Sequence, residues 1–246
     1  MSAFSLTGRT ALVTGANTGI GQAIAVALAQ AGAEVIASGR RDCDETLALM
    51  GQVADKPGRS LKLDFADPMA ARDVFASERI DILVNNAGII RRDDAVDFSE
   101  ADWDAVMDVN AKALFFTCQA FARAALPRGM GKIVNIASLL SFQGGIRVPS
   151  YTASKHSVAG LTKLMANEWA ARGLNINAIA PGYIETNNTE ALRADPDRSR
   201  AILDRIPAGR WGRPEDIAQT AVFLAAPASD YINGAILNVD GGWLAR

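Results

Sequence analysis

The chain has 246 residues, 49% of them hydrophobic, with 25 Lys and Arg against 27 Asp and Glu for a formal net charge of −2. That length and apolar content can bury a large core, and they fit one α/β domain over residues 1–246 better than two small ones. With no basic excess and no long charge run, nothing points to nucleic acid as a partner.

The opening "MSAFSLTGR" has no basic segment followed by an apolar core, so no signal peptide is expected. From Thr10 to Ala33 there is no charged residue, a stretch long enough to span a bilayer. Thr14, Gly15, Asn17, Thr18, Gly19, Gly21 and Gln22 interrupt it, however, and it reads as a strand "TALVT", a glycine turn and a helix "GIGQAIAVALAQAG". No membrane span is expected. "EVIAS", "SLKLDF", "DILVNN", "GKIVNIAS", "LNINAIA" and "AILNVD" follow as strand candidates, with helix-like segments between them. Strands alternating with helices run parallel, and near-continuous apolar strands are buried on both faces. The expected fold is therefore a doubly wound parallel sheet of the Rossmann type with helices on both faces. Gly32 and Gly173 stand where helices should end. The polar, arginine-bearing stretch near 184–212 breaks the alternation and reads as a short lid over the ligand crevice, the alternative being a solvated helical excursion.

Cys43 and Cys118 lie far apart, and His156 is the sole histidine, so no metal site is expected. Cys118, in "LFFTCQAFA", reads as a buried free thiol, and a reduced cytoplasm is the expected compartment.

"VTGANTGIG" sets Gly15, Gly19 and Gly21 between the first strand and the first helix. Gly15 permits the tight turn, Gly19 lets backbone approach a pyrophosphate, and Gly21 lets the helix sit close to the sheet. Free N–H groups at the helix start favour an anion. At the end of the second strand, where NAD enzymes place an acid, the chain reads Gly39, Arg40, Arg41. Arginine suits a 2′-phosphate, which leans the choice toward NADP(H) over NAD(H); Arg40 stacking on adenine or facing water is the alternative. Asp64 can accept a hydrogen bond from the adenine amine, and Asn86, Ala87 and Gly88 allow a cofactor close approach.

Tyr151 and Lys155 are four apart at the start of a helix pattern and so share a face. A neighbouring ammonium, with an oxidised nicotinamide, would lower the phenol pKa and let the tyrosine exchange a proton with an alcohol. Ser138 would hold the substrate oxygen, and Asn110 would anchor a water linking Lys155 to solvent. With three tyrosines and six lysines, such a pair arises by chance in about 7% of shuffled chains. The pair, the glycine turn, "NNAG", Asn110 and Ser138 in order are much harder to obtain by chance. His156 points about 100° away from Lys155 and reads as structural.

Together, "TGANTGIG" (with Ile20), "NNAG", Asn110, Ser138, "YTASK" and "PGYIET" resemble the short-chain dehydrogenases/reductases over nearly the whole chain. The resemblance implies an NAD(P)-dependent alcohol/ketone oxidoreductase, an Asn-Ser-Tyr-Lys tetrad and a homotetramer. It also implies that Tyr151 and Lys155 touch the cofactor, as does the segment Pro181–Gly182, with Ile184 and Thr186 at the nicotinamide carboxamide. "NIASLLSFQGGIRVPSYTASK", "LMANEWA", "AIAPGY", "ILDRIPAGRWG" and "VDGGWLAR" are similar, more narrowly, to bacterial dehydrogenases of deoxy sugar acids. These act on 2-deoxy-D-gluconate at carbon 3 or 2-dehydro-3-deoxy-D-gluconate at carbon 5, in uronate and pectin breakdown.

On that reading Arg147 offers its donor fork to the substrate carboxylate. Gln143 would bond a sugar hydroxyl, and Arg91 and Arg92 are second candidates for the anion. Trp243 and Arg246 would form a tail at a subunit interface, the alternative being core packing and a solvated end. Two other functions share the motifs: a 3-oxoacyl thioester reductase working with acyl carrier protein, and a non-catalytic nicotinamide-binding sensor or scaffold.

Overall fold

The computed structural model describes residues 3–54 and 58–245. All seven expected strands form: β1 (Thr10–Thr14), β2 (Glu34–Gly39), β3 (Arg59–Lys62), β4 (Ile82–Asn85), β5 (Gly131–Ile136), β6 (Leu174–Pro181) and β7 (Ile236–Val239). They pair in parallel in one sheet of order β3-β2-β1-β4-β5-β6-β7. The strand order reverses between β1 and β4, and a crevice opens there at the carboxyl ends of the strands.

The connecting helices are α1 (Gly19–Gln30), α2 (Asp44–Val53), α3 (Val74–Ser77), α4 (Glu100–Met107), α5 (Leu114–Ala125), α6 (Pro149–Trp169), α7 (Glu190–Ala194), α8 (Pro196–Leu203) and α9 (Pro214–Ala225). Neighbouring strand residues point to opposite faces, and both faces are covered. Val13, Val84 and Val134 pack with Ile24 and Leu28 of α1 and Ile217 and Ala221 of α9. Their neighbours Leu12, Leu83 and Ile133 pack on the other side with Cys118 and Phe121 of α5 and Val158 and Met165 of α6. This two-faced burial is why the central strands read as unbroken apolar runs. The edge strands β3 and β7 are only partly buried.

The uncharged stretch from Thr10 to Ala33 resolves into β1, the glycine turn and α1. No described helix is long and apolar enough to cross a membrane. β3 stops short of the expected run: Asp64 Oδ1 accepts from Ala66 N–H at 3.0 Å and turns the chain out of the sheet.

The lid leaves the sheet at Ile184 and returns at Gly212, and these two residues bridge in parallel. Glu185 N–H donates to Gly212 O and Gly212 N–H to Tyr183 O, which closes the stem of the excursion carrying α7 and α8. Beneath it Ile202, Ile206, Trp211 and Trp243 form a small separate core.

Gly32 and Gly173 end their helical segments with φ of 99° and 87°. A Cβ on Gly173 would overlap the carbonyl oxygen of Gly129 and stand 3.1 Å from its Cα, so strain and collision add. Gly173→Ala should destabilise the fold by about 1–3 kcal/mol, read as a lower urea midpoint at unchanged slope.

Candidate active site

The crevice between β1 and β4 is a cleft of about 620 Å³, a volume suited to a cofactor. The glycine turn forms its floor. Gly15 and Gly19 have φ of 64° and 59°, and a Cβ at Gly15 would stand 2.9 Å from Ala87 Cα. At Gly21 a Cβ would overlap the Gly15 carbonyl oxygen and the Asn86 amide, so α1 can sit this close only with glycine there. Thr18 precedes α1 in extended conformation without a side-chain capping bond, which leaves the first-turn N–H groups to a ligand. Thr18, Gly19, Ile20 and Gly21 all line the cleft, as do Asn17, Arg40, Asp64, Ala87 and Gly88. This cradle fits a dinucleotide phosphate, and thirteen of the expected site residues line it, with Asn86, Arg91 and Thr186 among them.

Asn86 works as a staple. Its amide donates to Thr14 O at 3.0 Å and Gly15 O at 2.9 Å, while Thr14 Oγ1 accepts from the N–H groups of Asn86 and Ala87. Thr14 escaped the sequence reading because a threonine ending an apolar strand looks like any other. Thr186, on the lid stem, approaches the turn from above: a Cβ at Gly19 would lie 3.4 Å from its Cγ2. Ile184 is buried in the core on the α1 side and does not line the cleft, and neither do Pro181 and Gly182. Gly182 is required by packing, since a Cβ there would stand 2.6 Å from Asp240 Cα.

Asn110 lies in a π-helical turn, Asp108–Ala113, inserted between α4 and α5. Such turns recur at functional sites. Its amide oxygen accepts from Ile89 N–H at 2.8 Å, and its nitrogen donates to Ile89 O at 2.9 Å and Ser154 Oγ at 3.2 Å. The side chain therefore holds the loop after β4 to α6.

Tyr151 and Lys155 share one face of α6, with the ammonium 5.5 Å from the phenol ring centroid. Ser138 lies two residues beyond β5, at the start of a 3-10 turn, and its hydroxyl is within hydrogen-bonding reach of Tyr151. Burial raises the pKa of Tyr151, opposed by the Ser138 bond and by the charge of Arg92. In this structure desolvation is the largest influence on the phenol. Burial also lowers Lys155 to about 8, with Nζ donating to Ile136 O at 2.6 Å. Cys118, wholly buried, is pushed up to about 12 by the same cause and is no nucleophile. His156 is exposed on α6, 3.0 Å from Thr152 O, in keeping with a structural role. Among the described residues no cluster could hold a metal.

The expected substrate residues divide. Arg147 does not line the cleft: its Nε lies 3.0 Å from Asp94 and its Nη2 3.7 Å from Asp93, and its own φ is 62°. The fork expected to clamp a carboxylate is thus shared between two exposed ion pairs. Gln143 Oε1 accepts from the Trp243 indole N–H at 3.1 Å, an engagement of the oxygen that leaves its amide N–H groups as donors. Trp243 is buried within its own chain against Tyr183, with Arg205 stacked 3.9 Å from its ring, so core packing replaces the expected interface tail. Arg246 lies outside the described residues. Arg91 pairs with Asp102 at 3.1 Å. Arg92 donates to Asn188 O of the lid at 3.1 Å and, among the described residues, has no carboxylate partner.

A family model described as Enoyl-(Acyl carrier protein) reductase matches residues 15–244. This chain belongs to the short-chain dehydrogenase/reductase family. It is 58% identical to the 2-dehydro-3-deoxy-D-gluconate 5-dehydrogenase of Bacillus subtilis over 99% of this chain and 98% of that protein. Among solved structures, one from Agrobacterium tumefaciens with bound NADP carries the provisional name 2-deoxy-D-gluconate 3-dehydrogenase. It superposes with a TM-score of 0.98 at 70% identity, covering all of both chains. Another, from Beutenbergia cavernae, carries the provisional name NAD(P)-dependent gluconate 5-dehydrogenase and holds NADP at low occupancy. It matches at a TM-score of 0.96 and 50% identity over all of both chains.

The buried lysine of this short-chain dehydrogenase/reductase fold gives a pH test. Between about 8 and its ordinary 10.5, the unfolded chain binds a proton at Lys155 that the folded one has lost, so its cost to stability is full below 8 and fades as pH rises. A Lys155→Met variant should therefore gain most over the parent below pH 8 and progressively lose that advantage toward pH 10.5, measured by urea unfolding.

Proposed function

We propose that this protein is an NADP(H)-preferring dehydrogenase that interconverts a secondary alcohol and a ketone on a deoxy sugar acid of the 2-dehydro-3-deoxy-D-gluconate or 2-deoxy-D-gluconate type. Residues 1–246 act as one cofactor-binding and catalytic unit. The observation that carries the reading is the meeting of Tyr151 and Lys155 on one face of α6 with Ser138 after β5, at the same carboxyl ends of the strands as the glycine cradle. Full-length likeness to sugar-acid dehydrogenases supports the substrate class. Bound in the cleft, the cofactor supplies or accepts the hydride.

The chain's own groups handle the proton and the oxygen. Ser138 Oγ donates to the substrate oxygen and fixes it beside Tyr151. With its pKa raised by burial, Tyr151 is protonated near neutrality and stands ready to give its proton to the oxygen as a ketone is reduced. In the reverse direction the phenolate takes that proton back. Lys155, on the same face, stabilises the phenolate by its charge. Asn110 is a positioning residue that fixes α6 against the loop after β4. Gly15, Gly19, Gly21, Asn86, Ala87 and Gly88 shape the phosphate floor, Asp64 and Arg40 the adenosine end, and Thr186 the nicotinamide wall, with Pro181, Gly182 and Ile184 as the stem that carries it.

For the substrate carboxylate, Arg92 is the best placed cation. Among the described residues it is the one of the three expected arginines without an acid partner, and its charge is felt at Tyr151. Opposite charge in a cleft mouth both orients and retains an acid. A thioester reductase would need a mouth that welcomes an acidic carrier protein. Here the loop beside the cleft carries Asp93, Asp94 and Asp97, and the start of α4 adds Glu100, Asp102 and Asp104.

A homotetramer in the cytoplasm completes the reading. Its support is an apolar groove of about 550 Å³ lined by Met107, Ala111, Phe115, Gly160 and Leu161, with Leu164 exposed one turn further along α6. The two buried free cysteines suit a reducing compartment.

The decisive assay is reduction of 3-deoxy-D-glycero-2,5-hexodiulosonate with NADPH and NADH, beside an acetoacetyl thioester. Faster turnover of the sugar acid supports the reading; turnover of the thioester alone defeats the substrate class. Tyr151→Phe should lower kcat by about 10²–10⁴-fold while NADPH still quenches protein fluorescence. Equal turnover by both proteins would defeat the mechanism.

The assignment of the anion has its own test. Arg92→Met should raise KM for the keto acid roughly ten- to hundredfold with a smaller change in kcat. Arg147→Met, which breaks only exposed ion pairs, should change KM by less than about threefold. The opposite ranking would return the clamp to Arg147.

A further inference from the structure

The carboxyl end of β2 is the place where a dinucleotide fold meets the adenosine ribose, and an acid at this point binds the ribose hydroxyls of NAD. In this protein the position is Gly39, and the space beside it is filled by Asn17 from the glycine turn. A Cβ at Gly39 would overlap Asn17 Oδ1 and stand 2.6 Å from its Cγ. No side chain fits at 39 while Asn17 keeps this rotamer.

The rotamer is held from the other end. Asn17 Nδ2 donates to Arg41 O at 2.7 Å and to Asp42 O at 2.9 Å. Those bonds pin the turn leaving β2 at the point where it carries Arg40 and Arg41 into the lining of the cleft. Among the described residues neither arginine has an ion-pair partner. The acid next in the chain, Asp42, has its Oδ2 3.0 Å from Lys62 Nζ and is partly neutralised. The turn leaving β2 thus offers the ribose no unpaired carboxylate and two uncommitted guanidinium groups, the chemistry that recognises a phosphate monoester.

We propose that Asn17 determines the choice between the phosphorylated and the unphosphorylated cofactor. One face of its amide excludes any residue larger than glycine at position 39. The other face fixes the turn that presents Arg40 and Arg41 to a 2′-phosphate. Asn17 is a positioning residue here, and the proposal rests on the reading of the cleft as an NADP(H) site. It follows that Gly39→Asp alone cannot make an NAD enzyme, because the new carboxylate has nowhere to go until Asn17 is shortened.

The test is calorimetric binding of adenosine 2′,5′-bisphosphate and of ADP to the full chain, with NADPH and NADH followed by fluorescence. The parent should favour the 2′-phosphorylated ligand at least tenfold. Asn17→Ala should reduce that ratio at least tenfold, where a general loosening of the fold would weaken both ligands alike; Asn17→Ser should move it the same way and serves if the alanine variant does not fold. Gly39→Asp should bind both cofactors poorly, and Asn17→Ala with Gly39→Asp should bind NADH at least tenfold better than Gly39→Asp alone. A parent without preference would overturn the NADP(H) reading and the proposal with it. A parent with preference that Asn17→Ala and Asn17→Ser retain, or a Gly39→Asp variant that binds NADH as well as the double variant, would overturn the role of Asn17 alone.

Discussion

The site depends on how closely the turn after β1 approaches the end of β4. Neither Gly15 nor Gly21 has room for a Cβ, and the gap between the two strand ends is closed by hydrogen bonds instead of side-chain volume. Thr14 Oγ1 receives two backbone N–H groups from the β4 end, and Asn86 returns two bonds to the carbonyls of Thr14 and Gly15. At about 1 kcal/mol each these four bonds are modest, but each also satisfies a polar group that would be costly to bury unpaired. Two chain segments 71 or more residues apart are locked into one surface. The start of α1, the Gly88–Ile89 loop and, through Ile89, Asn110 and Ser154, the catalytic helix α6 are all referred to it.

That rigidity makes a dry catalytic corner possible. Tyr151 and Lys155 both pay a desolvation penalty, which pushes the phenol up and the ammonium down, so both lean toward their neutral forms. Such a pair responds strongly to any charge brought beside it, since screening is weak in a buried site. Outside the corner the logic reverses. The mouth is rich in acids, and exposed arginines are matched with them: Arg91 with Asp102, Arg147 with Asp93 and Asp94. At this end of the cleft Arg92 is left unmatched beside two arginines that are neutralised, which singles it out for an anion.

The lid links both zones. Its stem is closed by the bridge between Ile184 and Gly212, its inner end brings Thr186 over Gly19, and its backbone at Asn188 receives Arg92. Behind it, Trp243 ties the chain end to Gln143 in the loop after Ser138, with Arg205 stacked on the indole. Cofactor floor, substrate loop and lid therefore share contacts, and a shift in one is felt by the others.

Much of this was legible from local pattern. Seven apolar runs became seven parallel strands because strands buried on both faces need no polar alternation, and the glycines, Tyr151 and Lys155 were recoverable because their chemistry depends on spacing along one element. What local pattern could not reach were the contacts that depend on what stands opposite. Arg147 read as a free donor fork, but Asp93 and Asp94, more than fifty residues away, had already claimed it. The bonds of the Asn110 amide to Ile89 and Ser154 were out of that pattern's reach too, and the π-helical turn that aims the side chain has no signature in composition. The meaning of Gly39 likewise lay in Asn17, twenty-two positions upstream. By itself the sequence determined the fold class, the strand order's raw material and the reactive pair, because each follows from residue type and periodicity. Only the tertiary structure decided which polar side chains remained free to meet a ligand, because a hydrogen bond or an ion pair is settled by the partner that folding brings within about 3 Å.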